Sequence, residues 1–236
     1  MWLWALLPVS IAVLGSGGIW TVFAMAVTNG SVNLTEGFPY ISKCGSYPPQ
    51  SCLFSQVCST CSFLAFWMMA IRFQQVKDFS NHGKANTASI VLGFISATGT
   101  CILGNFQQSV LKYVHILGAF MAFYMGLAYF WTQLYLTYQT QPSHDRRWVG
   151  PVRASCCTFC TILVITMPIL QKVGFPSEAA VCEWVVVMLF FCLFALGAAE
   201  FRHVDCHHFT VQKRALNIQS GHVSIHTNIR VANTLT

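Results

Sequence analysis

Six stretches of this chain are apolar over close to the length that a helix needs to cross a bilayer, and charge is nearly absent from them. They run over Trp2–Val27, Leu53–Ile71, Thr87–Leu103, Val114–Tyr138, Ala154–Leu170 and Ala179–Ala199, each near the roughly 20 residues required. Only helices and closed barrels satisfy the backbone in lipid, and runs of this length predict helices. Composition agrees: 55% of residues are hydrophobic and 8% charged, against about 25% charged in a soluble domain. The expected fold is all-α, a polytopic six-helix transmembrane bundle over residues 1–200. A short tail, 201–236, is expected to be polar and disordered. The connections are too short for a soluble domain.

An even number of spans puts both termini on one side. Loop Arg72–Asn86 holds Arg72, Lys77 and Lys84, loop Gln139–Arg153 holds Arg146, Arg147 and Arg153, and the tail adds Arg202, Lys213, Arg214 and Arg230. The other side has only Lys43, Lys112 and Lys172. Positive charge stays cytosolic, so both termini are expected in the cytosol and the 28–52 loop outside. That loop carries two sequons, Asn29-Gly30-Ser31 and Asn33-Leu34-Thr35, acceptors for sugar only on the lumenal or extracellular face. The two signals use different residues and agree. The first run is not read as a cleaved signal: Ala24-Met25-Ala26 resembles a cleavage site, but Met1-Trp2-Leu3-Trp4 has no basic n-region and the run is too long.

Candidate chemistry is sparse. Cys44 and Cys52 share the outside loop, where disulfides persist, and are a candidate pair. Cys58 and Cys61 form a CxxC without the βαβ context of a redox motif and read as small buried residues. Cys156 and Cys157 at the start of the fifth span, and Cys206 in the tail, are juxtamembrane candidates for palmitoylation. His203, Asp205, Cys206, His207 and His208 lack the second ligand pair of a zinc site, so no metal and no cofactor are expected. Glu183 is read as the one acidic residue at membrane depth, where a charged group is a functional candidate. Asn105, Gln107 and His115 lie at the same level and are expected to join it in an outer polar cluster under the loop. Glu200 reads as an interface anchor with Arg202. Gly118, Ala122 and Gly126, with Gly93 and Ala97, repeat small residues every fourth position, the spacing of close helix packing. Packing within the chain is the first reading and a homo-oligomer face the second. No nucleophile–base pair, phosphate loop or paired carboxylates are visible, and no enzyme is expected.

One block of the chain, Gly37-Phe38-Pro39-Tyr40-Ile41-Ser42-Lys43-Cys44-Gly45 continuing through Pro48-Pro49 to Gln56, resembles the Frag/DRAM/Sfk family of six-span membrane proteins, and within it the transmembrane-150 branch. Leu103-Gly104-Asn105-Phe106-Gln107, His115 with Gly118-Ala119, and Cys182-Glu183-Trp184 support the likeness. The resemblance covers the chain from the first span to the sixth. It implies a non-enzymatic membrane modulator of autophagy and cell survival at plasma-membrane, endosomal, lysosomal and autophagosomal membranes. Other branches imply an alternative: a plasma-membrane adaptor for phosphoinositide-kinase recruitment, lipid asymmetry or a channel. The family supplies no agreed catalytic residues. The expected partners are the lipid bilayer and membrane or cytosolic proteins of unstated identity, with no nucleic acid. Basic loops facing anionic lipid suit both readings.

Overall fold

The computed structural model describes residues 4–79, 83–139 and 146–201; the expected tail lies outside them. All six apolar runs are helices. They are α1 (Leu6–Thr28), α3 (Gln50–Phe79), α4 (Gly83–Asn105), a continuous span built of α5 (Lys112–Phe120), a π turn (Met121–Met125) and α6 (Gly126–Gln139), then α7 (Arg146–Val173) and α8 (Pro176–Phe201). The short helix α2 (Ile41–Cys44) and a 3₁₀ turn (Leu34–Glu36) lie in the first loop. The spans are longer than their apolar runs. At 1.5 Å per residue the 30 residues of α3 extend about 45 Å, well past a hydrocarbon core of about 30 Å.

The chain hides its polar groups in helical fashion. Hydroxyls of Ser10, Thr21, Thr98, Thr132 and Thr166 each donate to the carbonyl four residues earlier, at 2.7–2.8 Å, so none is left bare toward lipid. Outward positions are apolar: Val13, Phe63, Ile162 and Ile165 are all more than half exposed, the reverse of a water-soluble surface. Gly174 ends α7 with φ +98°, a conformation open to glycine, and Phe175 N–H bonds Leu170 O at 2.9 Å. That is the Schellman pattern, and Pro176 then opens α8 in the position where its missing N–H costs nothing.

Each span packs on its neighbours in sequence, and α8 returns to α1, so the helices close a ring. Glycines let α4 and α5 meet at the backbone. A Cβ on Gly99 would meet the backbone N of Ala122 at 2.6 Å, and one on Gly118 the backbone N of Leu103 at 2.7 Å. α4 and α5 therefore touch backbone to backbone at Gly99 and Gly118, while Gly93 packs on Met69 and Tyr129. α7 sits between α6 and α8, and Phe130, Phe190 and Phe194 stack edge-on in front of it.

Candidate functional site

Polar chemistry gathers at both ends of the ring. At the loop end, α2 is held over the helices by α8. Glu183 accepts the backbone N–H of Ile41 at 2.8 Å, Trp184 Nε1 donates to Pro39 O at 3.0 Å, and Ser177 Oγ accepts the N–H of Phe38 at 3.2 Å. Trp20, Phe23, Phe38 and Trp184 stack around this seam with centroids 4.8–6.1 Å apart. On the far side Ser42 Oγ donates to Gln108 Oε1 at 2.8 Å. The loop that marks orientation in the sequence is thus a cap, fixed to α8 by one carboxylate, one indole and one hydroxyl.

The expected cluster of Asn105, Gln107, His115 and Glu183 forms only in part. His115 and Glu183 both face a cavity of about 120 Å³ enclosed by α1, α3, α4, α5–α6 and α8 and covered by Ile41 and Ser42. His115 Nδ1 lies 2.9 Å from Phe106 O. Asn105 turns elsewhere: it is exposed, accepts from Ser55 Oγ at 2.6 Å and donates to Ser59 Oγ at 2.9 Å, tying α4 to α3. Gln107 contributes its carbonyl, which accepts from Val110 and Leu111; the side chain that meets the cap belongs to Gln108. The chain breaks helix after Asn105, and the turn rotates Gln107 away and Gln108 inward.

The expected disulfide is not formed: Cys44 and Cys52 are both free thiols, Cys44 buried beneath the cap and Cys52 exposed on the first turn of α3. Burial, with the Glu183 carboxylate adding to it, pushes the Cys44 thiol up to about 11. Burial likewise raises the Tyr40 phenol, whose hydroxyl has no partner. Asn29 and Asn33 are both exposed, but the Asn29 side-chain nitrogen donates to Gln50 Oε1 at 2.7 Å. Asn33 engages Thr35 through its oxygen, with its nitrogen 3.5 Å from Glu36. Cys157 is fully buried and cannot accept an acyl chain without unpacking. Cys156 borders an open groove between α1, α7 and α8 that Cys192 also lines. Cys206 lies outside the described residues.

The other end of the ring holds a constellation that the sequence reading missed. Glu200 is not an anchor paired with Arg202 but the centre of a buried network. Arg153 grips both of its oxygens, at 3.0 and 3.1 Å, and Arg72 reaches Oε1 at 3.0 Å. Thr137 Oγ1 donates to Oε1 at 3.0 Å and itself receives Arg153. Arg72 Nε donates to Gln133 Oε1, whose amide nitrogen donates to Ser89, and Gln75 bonds the Glu200 carbonyl. The three charged side chains are 4–9% exposed. Arg72 and Arg153 were placed in loops because an arginine ended each apolar run. Each lies seven residues inside its helix, about 10 Å from the end. The readable signal is polar residues at helical spacing, Arg72 with Gln75 and Gln133 with Thr137, which share faces. With these two charges paired, the termini side is still the more basic.

Residues 3–204 match the family model described as the Frag1/DRAM/Sfk1/Cwh43P N-terminal domain. The chain is 56% identical to a Danio rerio protein named modulator of macroautophagy TMEM150B, over 94% of this chain and 95% of that one. It is 44% identical to the Homo sapiens protein of that name, over 88% and 90%. Transmembrane protein 150A of Xenopus laevis is 33% identical over 86% and 85%. No solved structure matches.

Proposed function

Since the chain belongs to the Frag1/DRAM/Sfk1/Cwh43P family, we propose that it modulates macroautophagy as a non-enzymatic multi-pass membrane protein. The observation that carries this reading is the likeness to relatives named for that role across nearly their whole length. It acts with both termini in the cytosol and the cap outside or in the lumen, at plasma-membrane and endosomal, lysosomal or autophagosomal membranes. The basic excess on the termini side and the sequons on the cap support that orientation. A non-enzymatic role is supported by how the polar groups are used. Glu183 and His115 hold the backbone of the cap and the α4–α5 turn rather than one another. The test is autophagosome turnover in cells lacking the protein, with and without lysosomal blockade, followed by restoration of the full chain. Turnover should change on loss and return on restoration; unchanged turnover with the restored protein in its membrane would refute the role.

A further inference from the structure

We propose that the cavity inside the ring is a binding site for a small cationic amphiphile, a protonated amine on an apolar body, with Glu183 as its counter-ion. The walls leave little else to bind. Ser62, Ser96 and Thr100 border the cavity, yet each spends its proton on a backbone carbonyl: Ala97 at 2.6 Å, Ala122 at 3.0 Å and Ser96 at 3.1 Å. Most of the remaining wall is aliphatic and aromatic, including Phe54, Phe130, Phe190 and Phe191, with the Tyr129 ring and the Cys58 and Cys61 thiols among them. At the capped end stands Glu183, the one acidic residue of the cavity lining. Among the described residues Glu183 uses one oxygen for Ile41 N–H, and its other oxygen has no hydrogen-bond partner. The ion pairs among the described residues all belong to Glu200, so the Glu183 carboxyl has no cationic partner among them. With Nδ1–H donated to the Phe106 carbonyl, the neutral His115 ring offers Nε2 as an acceptor.

An apolar chamber with a lone carboxylate and a second acceptor at one end calls for a ligand with donors and a positive charge at one end. An ammonium group makes charge-assisted hydrogen bonds to the carboxylate, and aromatic faces tolerate a cation beside them. A neutral hydroxyl would leave the buried charge unpaired. The volume, about 120 Å³, compares with the roughly 150 Å³ engineered apolar cavity that admits benzene. It suits a ring or short chain, not a whole phospholipid. The site extends beyond the proposed role in autophagy and does not depend on it.

The test is titration of purified full-length protein in detergent with butylamine, against the isosteric alcohol 1-butanol, read by Trp fluorescence and saturation-transfer NMR. Trp184 adjoins Glu183, and the signal of each probe with empty micelles is measured separately and subtracted. The amine should bind saturably and at least about tenfold more tightly than the alcohol. Glu183→Gln should abolish that preference while keeping the cap, because an amide oxygen still accepts from Ile41; its unfolding temperature checks this. Ala119→Leu, which fills the cavity from α5, should remove binding of both probes. Equal affinity for amine and alcohol, a preference that survives Glu183→Gln, or no saturable binding to folded wild-type protein would each overturn the proposal.

Discussion

Glu183 and Glu200 stand on one helix, 17 residues and about 25 Å apart, and their charges are handled in opposite ways. Glu200 is saturated: two guanidinium groups, a threonine hydroxyl and a rigid surround fill its valence. Glu183 has one backbone N–H and an open side toward a cavity. A buried carboxylate in the first state joins helices, since α3, α6 and α7 each send a side chain to it on α8. In the second state it holds a cap and keeps capacity for a ligand. The difference separates what the bundle needs in order to fold from what it has left for function.

The comparison breaks most readily at Glu200. Glu200→Gln leaves two buried arginines facing each other without a counter-charge, and removing one partner of a buried pair costs about 3–5 kcal/mol. Thermal unfolding in detergent should show the largest drop of any single change discussed. Replacing Arg72, Arg153 and Glu200 together by leucine should recover much of the loss, because well-packed apolar side chains often substitute for a buried ionic set. Failure of the triple variant to exceed Glu200→Gln would mean that the network does more than neutralise charge. Next in size is the frame between the two ends. Gly99→Ala places a Cβ 2.6 Å from the Ala122 backbone and should cost about 1–3 kcal/mol through overpacking. Gly17→Ala, with open space around it, should be neutral or slightly stabilising and serves as the control.

Smaller effects belong to the cap. Glu183→Gln keeps an acceptor for Ile41 and should cost about 1 kcal/mol or less, the net worth of one such hydrogen bond. Thiol labelling at neutral pH should modify Cys52 quickly and Cys44 slowly. A thiol at about 11 carries over a hundredfold less thiolate than an ordinary one near 8.5, and burial slows it further. Equal protection of both, lifted by reductant, would instead reveal a disulfide. For sugar, Asn33→Gln should remove more of any gel shift than Asn29→Gln, since the Asn29 nitrogen is engaged by Gln50.

The spans were legible because bilayer thickness writes a length onto the sequence, and Glu183 because a lone acid in an apolar run stands out. Spacing alone places Gly118 and Ala122 on one face, and that face meets α4 at Gly99 rather than at Gly93. Glu200 was hidden by the same logic that found the spans. A charge was taken to end a run, so Arg72 and Arg153 were assigned to water when their partners lay 128 and 47 residues away. Nothing local announces such a pairing. Asn105 and Gln107 misled for a different reason: membrane depth fixes height along the bundle but not rotation, and the turn after Asn105 sets which side chain faces inward.

The most direct measurement is thermal unfolding of Glu200→Gln and Glu183→Gln side by side in one detergent. Glu200→Gln should lose several times more stability, with Glu183→Gln close to wild type. Equal losses, or a larger one at Glu183, would contradict the division of the bundle into a locked end and an open one.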